Sequence, residues 1–195
     1  MLDITGNGLR YDVDPTHPGS ADEMCHAERY TFASLFVRPG SIVVDYGCGT
    51  GYGSQIVRYE PNITYLGIEA DAAVVEHART KYGADRTRFV VGDVTRKAPG
   101  PHNVGLAFEL IEHLKPVPSI TVQCLAQRAS EVFVFSVPYN ERPGNNKHHQ
   151  HFELTEASFP HGIYWYYQTP DARISSVKSN NVQNLIGVFH QKSVL

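Results

Sequence analysis

The sequence predicts an α/β fold in which helices cover both faces of a mostly parallel sheet. Three observations predict it. Short apolar, β-branched runs alternate with helical patterns along most of the chain, the signature of strand–helix–strand crossovers. The first run, Ile42-Val-Val-Asp-Tyr46, opens directly into a turn with glycine at 47, 49, 51 and 53. Acidic residues then recur where strands end, at Asp45, Glu69, Asp93 and Glu109, which gathers them at the ligand-binding edge of such a sheet.

Residues 1–20 are rich in Gly, Pro, Asp and Thr and read as an irregular arm. From Ala21 to Val37 the spacing predicts a helix, with Ala21, Met24, Phe32, Leu35 and Phe36 as its apolar stripe and Pro39-Gly40 as its stop. The first strand and its glycine turn lead into a helix over Gln55–Tyr59, broken by Pro61-Asn62. Ile63–Glu69 is the second strand, and Asp71–Tyr82 a helix capped by Asp71. Arg88–Val91 is the third strand. The link Thr95–Asn103 is too short for a full helix before the fourth strand, Val104–Phe108. A helix over Val117–Ala129 precedes a strongly apolar fifth strand, Glu131–Val137. Pro138–Gln150 is a polar loop, and the stretch from Leu154 to Pro160 has room for a short helix only. Ile163–Gln168, Ile174–Val177 and Leu185–His190 are the last β segments and include a closing hairpin. With no repeat or linker, residues 1–195 read as a single domain, with residues 1–37 contributing to the substrate side.

Composition narrows the function classes. A net charge of −3 and a pI near 6.3 give no global footprint for nucleic-acid binding. The sequence shows no signal-peptide pattern and no apolar stretch that could span a bilayer. Cys25, Cys48 and Cys124 are scattered and odd in number, which fits a reducing cytoplasm better than a disulfide scaffold.

The glycine turn discriminates among ligands. A dinucleotide fingerprint counted from Gly47 requires glycine where Tyr52 stands, and a P-loop requires a Gly-Lys-Ser/Thr that is absent. The segment I-V-V-D-Y-G-C-G-T-G resembles the h-h-D-h-G-x-G-x-G pattern of class I S-adenosylmethionine (SAM)-dependent methyltransferases. H-A-E-R-Y-T-F-A-S at 26–34, F-E-L-I-E-H-L at 108–114 and N-N-K-H-H-Q-H-F-E-L-T-E-A at 145–157 resemble segments of a bacterial group of that class that acts on small molecules or glycans. The resemblance spans about residues 22–160. It implies a Rossmann-like, seven-stranded sheet of order 3-2-1-4-5-7-6, with SAM at the carboxyl ends of the central strands.

By that resemblance Asp45, Tyr46, Gly47, Cys48, Gly49 and Gly51 form the cofactor turn, Asp45 adding negative charge near the sulfonium. Glu69, with Ala70 beside it, can accept hydrogen bonds from both ribose hydroxyls. Asp93 can accept from the adenine amino group while Val94 packs on the adenine face, and Glu109 borders the methionine end. Glu112 and His113 face the acceptor as candidate catalytic residues, His113 serving as the base for a hydroxyl acceptor near neutral pH. Arg29 and Tyr30 can help close the site over SAM.

The motif Asp/Asn/Ser-Pro-Pro-Tyr/Phe of amine-methylating DNA enzymes is absent after the fourth strand, as is the Pro-Cys of cytosine-C5 enzymes. O-methylation of a small-molecule or glycan acceptor is therefore the expected reaction, with no metal required. The alternative is a metal-dependent RNA 2′-O-methyltransferase. Small-RNA enzymes carry E-x-x-E-H followed by a later histidine, and Glu109, Glu112 and His113 match the first part. Gln150 stands where that later histidine is expected, which leaves His149 as the fourth candidate ligand. A SAM-binding module without transferase activity is the third reading.

Overall fold

A computed structural model describes residues 12–14, 17–57, 61–96 and 99–191. The expected helix beyond Val57 and the first eleven residues of the arm lie outside them. The elements in chain order are α1 (Ala21–Ser34), β1 (Ile42–Tyr46), α2 (Gly53–Ile56), β2 (Thr64–Glu69), α3 (Ala72–Tyr82), β3 (Thr87–Val91), β4 (His102–Phe108), α4 (Pro118–Ala126), β5 (Ala129–Pro138), β6 (Tyr164–Gln168), β7 (Ile174–Ser175) and β8 (Asn184–His190). Short 3₁₀ turns occupy Ile111–His113 and Glu156–Ser158.

All the strands form one sheet of order β3-β2-β1-β4-β5-β8-β6-β7. The first five are parallel, and β8, β6 and β7 are antiparallel additions. With β8 in the seventh place this is the expected order, extended to eight strands by the two-residue edge strand β7. Central strands are buried on both faces, which is why they read as continuous apolar runs. One apolar cluster holds Val43, Tyr65, Val75, Phe89 and Val104; the other holds Val44, Ile111, Leu125, Phe133 and Phe135.

Local chemistry explains the boundaries. Ser20 caps α1 by accepting from the Glu23 amide at 3.2 Å, and Asp71 caps α3 by accepting from Ala73 and Val74. Pro118 starts α4 where its missing N–H costs nothing. Among the described residues of the 95–103 link there is no helix.

The expected apolar stripe of α1 holds for Phe32 and Phe36, which pack against the apolar core, and is corrected for the rest. Met24 is 40% and Leu35 76% exposed, whereas the buried face carries Cys25, Ala27, Arg29, Tyr30 and Ala33. The reason is what the helix covers. Arg29 donates to the Gln168 side chain at 3.0 Å and Tyr30 to the Asp45 carboxyl at 2.8 Å, so α1 meets polar partners on β6 and β1. A helix lying over such groups needs polar residues on its inner face.

Candidate active site

The crevice begins at the glycine turn. Gly47, Gly49 and Gly51 all have positive φ, at 71°, 54° and 88°, a region that costs side-chain-bearing residues energy. The amides of Gly47 and Cys48 both donate to the Ile68 carbonyl, at 2.8 and 3.1 Å, folding the turn over the end of β2. A Cβ on Gly51 would lie 2.6 Å from Phe89 Cε1, and one on Gly53 only 2.2 Å from Tyr30 Cε1. A Cβ on Gly49 would meet nothing within 4 Å. Gly49 is thus the point where the turn opens outward, a cradle that a side chain would fill.

Glu69 faces this opening from the end of β2. Its Oε2 accepts from the Gly49 amide at 3.2 Å and its Oε1 from the Ala70 and Asp71 amides at 2.7 and 3.1 Å. Three backbone donors fix the carboxylate, and its four lone-pair sites leave capacity for a ligand hydroxyl. Ala70 is exposed next to it.

Other members of the expected cofactor set sit differently. Asp45 is wholly buried beneath the turn, where its Oδ2 accepts from Tyr30 and Tyr65 and its Oδ1 has no hydrogen-bond partner among the described residues. Burial raises its pKa to about 7, against which the two tyrosine hydroxyls act. Asp45 thus ties α1 and β2 to β1 from beneath the turn. Tyr46 turns its ring to the opposite face, with its hydroxyl 3.2 Å from His102 Nε2, so only its backbone can reach the crevice. The Cys48 thiol is buried and directed at the Gly49 carbonyl. Asp93 is exposed and engaged in a local turn, with Oδ1 accepting from the Thr95 amide and hydroxyl and Oδ2 3.1 Å from Arg96. Val94 belongs to the apolar cluster below, 6% exposed.

Asp45 yields a pH prediction. Its folded pKa is raised, so between about pH 4 and pH 7 the unfolded chain releases a proton that the native state keeps. Stability is therefore expected to fall as pH rises through that window and to level off above it. Urea unfolding across this range should show the slope in the wild type and lose it in Asp45→Asn; an equal slope in both would exclude Asp45 as its source.

The second half of the site follows β4. A Cβ on Gly47 would lie 2.8 Å from Leu110 Cδ1, so the 109–113 segment packs directly on the glycine turn. Glu109 adopts a left-handed φ of 49°. Its Oε1 accepts from Ser136 Oγ at 2.7 Å and its Oε2 from Asn184 Nδ2 at 3.0 Å, with Arg29 Nη1 3.7 Å away. Glu112 is 1% exposed, and neither carboxyl oxygen has a hydrogen-bond partner among the described residues. Burial, reinforced by the nearby Glu109, holds its pKa far above the usual carboxylate range. The Glu112 carbonyl accepts from the Gln150 and His151 amides at 2.7 and 3.2 Å, docking the 139–152 loop onto this turn. That loop brings His149 against His113 with ring centroids 4.5 Å apart. Glu112, His113 and His149 each offer a ligand atom, all within 4.8 Å of one another. Glu109, the fourth residue of the metal alternative, is outside this group and committed to Ser136 and Asn184 instead.

Sequence reading missed Ser136, Gln168 and Asn184. Ser136 and Gln168 carried a signal, each being a polar residue in or ending an otherwise apolar or aromatic strand. Asn184 had none.

A mixed sheet with this strand order, an open glycine turn after β1 and a fixed carboxylate at the end of β2 define the class I methyltransferase architecture. The chain belongs to the methyltransferase-domain family, whose sequence profile matches residues 22–185. It is a SAM-dependent methyltransferase, and SAM is its cofactor. Comparison with curated proteins gave no match. Among solved structures it is similar to a TehB-like SAM-dependent methyltransferase from Corynebacterium glutamicum (TM-score 0.60, 16% identity, 85% of this chain and 88% of that one). It is also similar to a magnesium protoporphyrin IX methyltransferase from Synechocystis with bound SAM (TM-score 0.58, 17% identity, 88% and 79%). A small RNA methyltransferase gives TM-score 0.63 at 14% identity, over 86% of this chain but 25% of that one. No helix among the described residues is long and apolar enough to cross a membrane.

Proposed function

We propose that this enzyme transfers the SAM methyl group to a hydroxyl of a small-molecule or glycan acceptor. The observation that carries the reading is the group Glu112, His113 and His149, brought together beside the glycine turn by the 109–113 segment and the 139–152 loop. In this reading the backbone of the turn around Gly49 cradles the methionine portion and Glu69 binds the ribose. Asp93 would meet the adenine amino group on releasing part of its bonding to Thr95, and Glu109 borders the amino-acid end. SAM supplies an electrophilic methyl; the chain aligns the acceptor oxygen with it and takes up the proton it loses. His113 donates from Nδ1 to the His148 carbonyl at 3.2 Å, which places the basic Nε2 on the side of Glu112, 3.9 Å away. Alanine at His113 is expected to lower kcat about a hundredfold with the dissociation constant for SAM unchanged. Turnover of amine acceptors in preference to hydroxyl acceptors in a side-by-side panel would overturn the reading.

A second reading is favoured by the buried Glu112 carboxyl, whose oxygens have no hydrogen-bond partner among the described residues. A buried acid beside two imidazoles is a donor set that suits a divalent cation, and a cation there would act as a Lewis acid on a bound hydroxyl. The acceptor would then be an RNA ribose, in line with the likeness to the small RNA methyltransferase. Transfer should be abolished by EDTA and restored by Mg²⁺ or Mn²⁺, and RNA affinity should fall steeply with salt. Full activity in EDTA removes this reading and leaves the first.

A further inference from the structure

The 139–152 loop holds an orientation device that no motif announced. The Asn146 side-chain Oδ1 accepts from the His148 amide at 2.9 Å, which fixes which way the Asn146 side chain faces. Its NH₂ group is therefore the atom set 3.0 Å from His149 Nε2, and a donor facing that nitrogen requires Nε2 to carry the lone pair. The ring proton then sits on Nδ1, directed at the Glu141 Oε2 carboxylate oxygen against which it lies. The same His148 backbone acts a second time, because its carbonyl receives Nδ1 of His113. One residue's N–H and C=O thus set the tautomer of both histidines in the cluster.

We infer that Glu141, backed by Asn146, is a positioning residue that locks His149 as the Nδ1–H tautomer and presents its Nε2 lone pair to a hydroxyl donor. The inference rests on the acceptor-side reading of the cluster. Side-chain exposure of 6% for His149 and 19% for Glu141 keeps the pair screened from water, so the contact is structurally enforced. The His113 ring, set edge-on to His149, prevents rotation on its other side. Asn146 holds Nε2 until a hydroxyl exchanges for it, one hydrogen bond replacing another. A carboxylate behind an imidazole fixes its tautomer and its orientation, and removing such a partner typically costs about 10–100-fold.

The test combines spectroscopy with kinetics on the full chain. Two-bond ¹H–¹⁵N spectra of ¹⁵N-histidine-labelled protein report each ring's protonated nitrogen, with His149 assigned by the signal lost in His149→Gln. The wild type should show His149 protonated on Nδ1. Glu141→Leu should give a tautomer mixture and a kcat lower by about tenfold or more, with acceptor KM and SAM affinity within about twofold. Glu141→Gln, whose amide oxygen accepts the same proton, should keep the tautomer and recover much of the rate. Protonation on Nε2 in the wild type overturns the inference, as does a Leu variant with unchanged tautomer and kcat. If Glu141→Leu does not fold, the wild-type and Gln spectra still decide. If no hydroxyl acceptor is methylated at all, the functional reading fails while these spectra continue to test the tautomer.

Discussion

Glu69→Ala is expected to weaken SAM binding by a factor of about 10²–10⁴. A carboxylate bonding two ribose hydroxyls contributes roughly 1.5–3 kcal/mol per charge-assisted bond, and each 1.4 kcal/mol is about tenfold in affinity. The three backbone amides that hold Glu69, from Gly49, Ala70 and Asp71, mean that little ordering remains to be done when the ligand arrives. Glu69→Gln keeps an acceptor but loses the charge, and should sit between the two at about a tenfold loss. Isothermal titration with SAM and with its demethylated product checks both. Equal losses for Ala and Gln would mean that charge at this position is the whole effect; no loss for either would remove Glu69 from the site.

Gly51→Val has the largest expected effect on the fold. The φ of 88° disfavours any side chain, and a Cβ would press to 2.6 Å from Phe89 Cε1 and 2.9 Å from Ala78 Cβ. Left-handed backbone costs about 1–2 kcal/mol and overpacking about 1–3 kcal/mol, so the variant should lose roughly 2–5 kcal/mol. For a chain of this size that corresponds to a Tm lower by about 5–20 °C. Gly49→Ala is the control: its φ is also positive, but nothing lies within 4 Å of the new Cβ, so only about 1 kcal/mol should be lost. Thermal unfolding of the pair separates crowding from backbone strain. Equal Tm losses would show that Phe89 and Ala78 yield readily.

How much was legible in the sequence depended on the range of the interaction. The turn at 47–53 and Glu69 were readable because glycine spacing and a strand-terminal acid act through local backbone geometry. Their positions followed from the crossover order. The inner face of α1 was read correctly at Phe32 and Phe36, but Arg29 and Tyr30 were missed, because hydrophobic periodicity assumes an apolar floor and these two meet Gln168 and Asp45. Asp45 was placed correctly on β1, but its burial and its hydrogen-bond donors were not legible, since Tyr30 and Tyr65 come from two other elements. Glu112 and His113 were found as a motif. Their pairing with His149 was suggested by resemblance alone, and only the docking of the 139–152 loop on the Glu112 carbonyl brings it about. Ser136 and Asn184, which hold Glu109, come together through the β5–β8 pairing of strands far apart in the chain.

The claim that SAM lies against the turn at Gly49 is tested most directly by calorimetric titration of SAM into the wild type and Gly49→Arg. Because the Gly49 position opens into free space, the arginine should fold with a Tm within about 5 °C of the wild type while its side chain fills the crevice. The account predicts a saturable one-site isotherm for the wild type and no binding heat for the folded variant. A folded Gly49→Arg protein that binds SAM as the wild type does would contradict it.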